Sequence, residues 1–357
     1  MSADKTPTLS VVMATYNGAR FVREQLDSLS RQTRLPDELV VCDDGSTDAT
    51  VDIVTDFARQ APFPVQVKRN AERLGYADNF LHGAATWCQG EIIAFCDQDD
   101  VWHEQKLERC AAALCSAPDR LLAVHAAEFV DADLRPLRTR YARGPMRLFT
   151  ARRRGRPRVV DPLRLDPFWV PSGYTMVFRA RLGRDVDWRQ RPLSHMVDGP
   201  MPHDQWIYFL AIVLGRIVLL PERLALYRQH GANLFGADAR ATRERVEHAV
   251  RTGATTYEYS ASRAAGYAEF LRALAQDTAL SLGTVDLNRL EEGAKWYARL
   301  GTRIRSRARL YQPGSSSLSR LRQMARMVGR GDYGSRDQGG LGLLSFAKDA
   351  AFAAFKT

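Results

Sequence analysis

The sequence predicts an α/β protein with a mostly parallel central sheet flanked by helices, followed by a basic, mainly helical C-terminal region. Three observations carry this expectation. Between residues 9 and 96, short β-rich apolar runs alternate with segments of helical periodicity across short loops, the pattern of a parallel sheet covered by helices. Polar, acid-rich loops follow several of those runs, and the carboxyl ends of parallel strands are where ligands bind in such sheets. From about residue 240 the chain reads as helix to its end, rich in Ala and Arg.

Leu9–Ala14 is the first apolar run, and Ala19–Gln32 follows with Val22, Leu26 and Leu29 at helical spacing. Glu38–Cys42 is the second strand. The helix over Asp48–Gln60 buries Val51, Val54 and Ala58, with Ser46 or Thr47 as its expected cap and Asp48 at the positive end of its dipole. Val65–Lys68 is the third strand, Ala77–Cys88 the third helix and Glu91–Cys96 the fourth strand. After these come a helix over His103–Cys115, a strand over Leu121–Val130, a β-like stretch over Trp169–Phe178 and a helix over Asp204–Leu214. A strand over Arg216–Leu220 is expected to end at Pro221. Gly314-Ser315-Ser316-Ser317 and the Gly-rich stretch 329–342 break the helical end. The expected domains are residues 1–235, catalytic, and 236–357, helical.

Charge divides the chain. Residues 1–134 hold 12 Lys+Arg against 22 Asp+Glu, whereas the remainder holds 39 against 19. Residues 135–164 carry eleven arginines and one acid, Asp161. This run reads as a solvated loop, a clamp for an anionic substrate or a contact with acidic lipid. Basic helical stretches around Arg303–Arg309 and Arg320–Arg326, interleaved with Ile304, Leu310, Leu321, Met324 and Met327, have the composition of segments that lie on an anionic membrane. The five cysteines, Cys42, Cys88, Cys96, Cys110 and Cys115, show no metal-ligand spacing and read as free thiols of a reducing compartment. Met1–Pro7 does not resemble a signal peptide, and Trp206–Pro221 is short for a membrane span. The expected location is cytoplasmic, or peripheral on the cytoplasmic face of the inner membrane.

The chemistry concentrates in three loops: Thr15-Tyr16-Asn17-Gly18, Asp43-Asp44-Gly45-Ser46-Thr47-Asp48 and Asp97-Gln98-Asp99-Asp100. In a parallel sheet all three share one edge. Crowded carboxylates repel and are stable with a cation among them. Oxygen ligands without neighbouring His or Cys suit Mg²⁺ or Mn²⁺. Thr15 and Tyr16 offer hydroxyls and an aromatic face for a base, Asp44 accepts hydrogen bonds from a base or ribose, and Asp97 and Asp99 bridge ribose, metal and diphosphate. A nucleotide fits this arrangement.

These residues carry a resemblance. Ser10–Gly18, Ser28-Leu29-Ser30-Arg31-Gln32-Thr33 with Pro36, Cys42–Asp48 and Phe95–Asp100 resemble, in content and spacing, the family-2 glycosyltransferases of GT-A fold. The resemblance implies a nucleoside-diphosphate-sugar donor, dTDP- or UDP-linked. It implies a divalent metal held by Asp97, Asp99 and Asp100, and donor contacts at Thr15, Tyr16, Asn17, Asp44, Arg73, Asn79, Asp97 and Gln98. Ser172-Gly173-Tyr174-Thr175-Met176 is similar to the family's acceptor-side turn. His203-Asp204-Gln205-Trp206 is similar to the segment supplying the catalytic base, which implies Asp204 as base and Ser172, Gly173 and Trp206 on the acceptor side. Tyr227–Asn233 resembles a motif of bacterial rhamnosyltransferase-like members, which implies His230 as a further metal ligand and Arg228 near the diphosphate. The acceptor implied is a growing surface polysaccharide or lipid-linked glycan.

Plainer readings stand beside these. Asp204 at a helix start is also the expected cap, His230 alone is a structural histidine, and Trp102, Trp169 and Trp206 pack in cores by default. A nucleotidyltransferase also joins nucleotide to metal on a parallel sheet, but needs a lysine-bearing, glycine-rich loop that residues 15–18 lack. A glycoside hydrolase uses two opposed carboxylates and no nucleotide. A non-catalytic membrane- or nucleic-acid-binding module would use the basic half alone and leave the acidic loops without a role, so no nucleic-acid partner is expected.

Overall fold

The computed structural model describes residues 6–137, 156–231, 253–277, 284–335 and 340–355. Strands β1 (Leu9–Thr15), β2 (Glu38–Asp43), β3 (Val65–Arg69) and β4 (Ile92–Asp97) form a parallel half-sheet in the order β3-β2-β1-β4. Helices α1 (Val22–Ser30), α2 (Thr50–Ala58) and α3 (Tyr76–His82) connect them. Leu9, Val11 and Met13 pack with Leu26 and Leu29 on one face, while Val12 and Val40 pack with Phe80 and Ala84 on the other. Burial on both faces is what gives these strands their continuous apolar runs. Register then fixes the loops: Thr15 lies opposite Asp43 and Ala14 opposite Asp97. The three polar loops therefore leave the sheet along one edge, as expected.

Beyond β4 the sheet is mixed rather than parallel. It continues through β8 (Met176–Arg179), β6 (Arg120–Val130), β9 (Arg216–Arg228) and β5 (Val101–Trp102), with β7 (Arg158–Val160) also on β9, making nine strands among the described residues. Among these later pairings only β6 with β9 is parallel. Pro221 does not end β9. His125 pairs with Leu220 and Ala126 with Arg223, so Pro221 and Glu222 sit in a bulge, where a missing N–H breaks no ladder bond. This carries Tyr227 and Arg228 to the polar edge.

Other elements shift for local reasons. Ser46 does not cap α2: its hydroxyl turns back to Asp43, and Asp48 Oδ1 accepts Thr50 N at 3.0 Å instead. The third helix passes into a π turn over Gly83–Trp87, where a Cβ on Gly83 would stand 2.6 Å from Cys42 Sγ. The helix expected from His103 is α4 (Lys106–Cys115), because Val101 and Trp102 pair with β9 first. The stretch 169–178 is strand only from Met176, after a 3₁₀ turn at Gly173–Thr175.

The helices of the second half are α5 (Arg181–Arg184), α6 (His203–Leu214), α7 (Ala254–Gln276), α8 (Thr284–Leu310), α9 (Ser317–Gly329) and α10 (Leu343–Phe355). Every residue of α6 except Asp204 is buried, the signature of a helix enclosed on all sides. Trp206, Phe209 and Leu210 share one apolar cluster with Tyr267, Leu271 and Tyr297 of α7 and α8. The later helices thus close over the back of the sheet through α6. The expected boundary at residues 235–236 lies outside the described residues, as do Arg138–Gly155 of the arginine-rich run. Asp349 is fully buried and satisfied: it accepts from Arg307 Nε at 3.0 Å, Tyr311 Oη at 2.7 Å and Tyr333 Oη at 2.9 Å. All five cysteines are free and four are buried; burial pushes the Cys42 and Cys110 thiols up to about 12, which leaves them unreactive. Among the described residues, no helix is long and apolar enough to cross a membrane.

Candidate active site

A cleft of about 1580 Å³ opens along the loop edge of the sheet. It is lined by Thr15, Tyr16, Asn17, Asp44, Arg73, Asn79, Asp97, Gln98, Asp99, Ser172, Gly173, Asp204 and His230. Residues from sequence-distant segments meet here because β1, β2, β4 and β9 end at this edge and α3 and α6 begin at it.

The β2 turn is rigid by construction. Asp43, fully buried, accepts from Thr15 Oγ1 at 3.1 Å, Gly45 N at 3.1 Å and Ser46 N at 2.9 Å. Gly45 at φ 85° supplies the backbone conformation this turn requires. Asp44 faces the other way. Its carboxylate accepts Leu74 N at 2.7 Å, Gly75 N at 2.8 Å and Asn70 Nδ2 at 3.0 Å, tying the loop before α3 to the sheet edge. Asn79 completes that tie by donating to Cys42 O at 2.7 Å and accepting from Asn70 at 2.9 Å. Arg73 lies 3.7 Å from Asp44 and stacks its guanidinium 3.7 Å above the ring centroid of Tyr16. Tyr16 thus presents an aromatic face to the cleft, covered by the Arg73 guanidinium. Gln98 holds the Tyr16 backbone from both sides, accepting from its N at 3.0 Å and donating to its O at 3.1 Å. Asn17, at φ 48°, accepts Thr47 N at 2.8 Å.

The acidic loop does not act as one unit. Asp97 and Asp99 line the cleft. Burial, then the charges of Asp99 and Asp204, raises Asp97 to about 7. Asp100 corrects the expectation of a third metal-binding carboxylate: consecutive residues of a turn face different ways, and this one points inward. It is fully buried, outside the cleft lining, with Oδ1 accepting Arg228 N at 3.1 Å. Arg228 also differs from its expected diphosphate role. It is 1% exposed and clamps the acidic turn, donating to Asp99 O at 2.7 Å and Ala132 O at 2.5 Å, pairing with Glu24 and lying over Phe21. His230, two residues on, places Nε2 2.8 Å from Asp99 Oδ2. Beneath the acids lies Lys106, fully buried, which donates to Tyr174 O at 2.7 Å and sits 3.3 Å from the Trp102 ring centroid. Nothing in its helical spacing marks Lys106 as a site residue.

Among the described residues, no three His, Cys, Asp or Glu side chains converge closely enough to form a closed metal site. The donor set nevertheless fits an ion such as Mg²⁺ or Mn²⁺, which binds through one or two carboxylates together with substrate phosphates. Asp97 and Asp99 supply such a pair, and burial together with the charges of Asp99 and Asp204 makes an added cation favourable beside Asp97.

Asp204 joins the cleft lining from the first turn of α6. It does not cap that helix through a typical side-chain bond to a later turn; its Oδ1 accepts the adjacent Gln205 N at 2.7 Å. Burial raises it to about 6. His203 was missed. Its ring stacks on Phe80 at 4.4 Å and meets Phe95 edge-on at 4.9 Å, and Gly173 is glycine because a Cβ there would stand 2.3 Å from His203 Nε2. Burial depresses His203 to about 3, so it is a neutral ring beside Asp204. Trp206 is the second correction: it is fully buried against Phe209 and Phe270 and does not reach the acceptor side. The cleft lining carries instead Tyr174 stacked on Tyr227 at 4.4 Å, with Met196 and Val197.

A half-parallel sheet carrying these loops, faced by a carboxylate from a helix start, defines a glycosyltransferase of GT-A fold. Residues 10–176 match the family model for Glycosyl transferase family 2. An uncharacterized glycosyltransferase of Nostoc sp. is 31% identical over 238 residues, 66% of this chain and 69% of that protein. The chain belongs to glycosyltransferase family 2. Against a mycobacterial relative at 27% identity, it spans 60% of that protein's length. The dTDP-rhamnosyl transferase RfbG of Shigella flexneri is 30% identical over 105 residues, 29% of this chain and 36% of that one. The crystal structure of S. aureus TarS 1–349 in complex with UDP-GlcNAc shares the fold at a TM-score of 0.51 and 17% identity, over 97% of this chain and 91% of that one.

Proposed function

We propose that this glycosyltransferase moves a sugar from a nucleoside-diphosphate donor to an acceptor hydroxyl in one inverting displacement. The observation that carries the reading is the meeting, in one cleft, of the Asp97 and Asp99 carboxylates from the β4 loop and the Asp204 carboxylate from the start of α6. Asp204 accepts the proton of the acceptor hydroxyl as that oxygen bonds to the anomeric carbon. The bond from that carbon to the diphosphate oxygen breaks, and its electron pair leaves with the diphosphate. Tyr16 and Arg73 receive the base, and Asp44 keeps the loop beside it in place. Asp97 and Asp99, with His230 oriented on Asp99, would hold Mg²⁺ or Mn²⁺, which supplies positive charge to the leaving diphosphate when bound. Tyr227, part-exposed and backed by the buried Tyr174, presents aromatic surface for sugar C–H groups.

The donor proposed is dTDP- or UDP-linked, with rhamnose as the leading sugar. Its support is the Tyr227–Gly231 segment and the partial likeness to the Shigella rhamnosyl transferase. The acceptor proposed is a surface polysaccharide or lipid-linked glycan, met by an enzyme that binds peripherally to the cytoplasmic face of the inner membrane. A thermal-shift screen of dTDP-, UDP- and GDP-sugars with Mn²⁺ tests the donor reading, because a ligand that binds the native state raises Tm in proportion to its occupancy. Stabilisation by a dTDP- or UDP-sugar supports it; no stabilisation by any nucleotide sugar overturns it.

A further inference from the structure

Away from the cleft, Arg309 at the end of α8 and Arg322 and Arg326 on α9 converge on a surface pocket of about 350 Å³. Ser316, Ser319, Gln323 and Leu318 complete its lining. Arg322 and Arg326 are four residues apart and so share one face of the helix. None of the three arginines makes an ion pair among the described residues, although other arginines of this region do: Arg307 pairs with Asp349 and Arg330 with Asp332. Like charges brought together without acids repel, and an anion relieves that repulsion. Helix α9 contains no acidic residue, and its N-terminal turn opens at the pocket, with Ser316 Oγ accepting Ser319 N at 3.2 Å.

The polar pocket is accompanied by exposed leucines on the same helix and on α10. Leu318 is 58% exposed and Leu321 48% exposed on α9, and Leu343 and Leu344 at the start of α10 are 80% and 83% exposed. Met324 and Met327 are buried on the opposite face of α9, so this helix spends other apolar residues on its core and leaves leucines beside the arginines. Arginines that reach a phosphate and leucines that enter the acyl boundary are the two halves of an interfacial membrane contact.

We propose that Arg309, Arg322 and Arg326 form a binding pocket for the phosphate headgroup of an anionic membrane lipid, with Leu318 and Leu321 inserted beside it. This rests on the reading of the enzyme as peripheral to a membrane. It is independent of the residues assigned to sugar transfer.

The test is flotation of the full chain with vesicles of phosphatidylcholine alone or containing 30% phosphatidylglycerol or phosphatidic acid (about one lipid in three). Wild type is expected to float with anionic vesicles and not with phosphatidylcholine. The combined variant Arg309→Gln, Arg322→Gln, Arg326→Gln is expected to bind about 100-fold more weakly, with its melting temperature and its thermal shift by nucleotide sugar unchanged. Leu318→Ser with Leu321→Ser is expected to weaken vesicle binding at constant charge. Absence of wild-type binding to anionic vesicles overturns the proposal, as does binding that survives the triple substitution. Wild-type binding abolished by millimolar inorganic phosphate but insensitive to the leucine substitutions also overturns it, since the pocket then takes free phosphate rather than lipid. Loss of nucleotide-sugar binding in wild type, with vesicle binding intact, would instead count against the donor reading.

Discussion

Replacing Asp204 with Asn separates donor binding from catalysis. The substitution conserves shape, and the amide oxygen can still accept Gln205 N, the 2.7 Å bond that orients the side chain. What is lost is the proton acceptor. General-base contributions of about 10²–10⁴-fold correspond to about 3–5 kcal/mol of transition-state stabilisation, so kcat is expected to fall by that factor with the donor KM nearly unchanged. Burial that raises Asp204 to about 6 adds a second signature. The ionised base is the active form, so wild-type kcat should rise with pH to a plateau above about 6, reaching roughly a tenth of it one pH unit below. The asparagine variant should lose this limb. The assay is single-turnover transfer from labelled donor between pH 5 and 8, with donor affinity measured separately by calorimetry. Transfer within a factor of three of wild type would refute the assignment of the base.

Three further outcomes follow from the same geometry. Asp97, raised from 3.8 to about 7, and Asp204, raised from 3.8 to about 6, hold their protons more tightly folded than unfolded; their contribution to stability is full below 3.8 and is lost progressively as pH rises from there to 6–7. Tm should therefore drop across that window, and Asp97→Asn should flatten the drop in a calorimetric pH series without divalent ions. Gly173→Ala puts a methyl 2.3 Å from His203 Nε2, on a ring already held between Phe80 and Phe95; overpacking of about 1–3 kcal/mol by urea denaturation is expected, with a lower kcat from displacement of Asp204. Arg228→Met removes the donors to Asp99 O and Ala132 O and the pairing with Glu24, and should cost about 3 kcal/mol by urea denaturation together with weakened Mn²⁺-dependent nucleotide binding.

The parallel half of the fold was legible because its strands are buried on both faces and bounded by turn residues. The site loops were legible with it, since parallel strands in register must deliver their following loops to one edge. What escaped were features set by three-dimensional reach. Asp100 is chemically the equal of Asp99 and adjacent to it, yet the turn sends its carboxylate inward to Arg228 N. Arg228 looked like a ligand for anionic substrate because periodicity cannot show that its long side chain finds Glu24, 204 residues away in sequence. Trp206 stood two residues from Asp204 in sequence, but two helical residues are a rotation of about 200°, enough to move it from the cleft wall to the core. Pro221 hid the length of β9, because a bulge admits a proline that a regular strand excludes. His203 was within sight in the same tetrapeptide as Asp204; the signal for it was the glycine at position 173, which only contact with a ring nitrogen explains.

The division of the cleft into a donor side and a base side is tested most directly by calorimetric titration of one nucleotide, the dTDP or UDP matching the stabilising donor, into wild type, Asp99→Asn and Asp204→Asn with and without Mn²⁺. Mn²⁺ should tighten binding to wild type and to Asp204→Asn and leave Asp99→Asn unaffected. Equal Mn²⁺ enhancement in Asp99→Asn, or its loss in Asp204→Asn alone, would contradict the placement of the diphosphate and metal at the β4 loop.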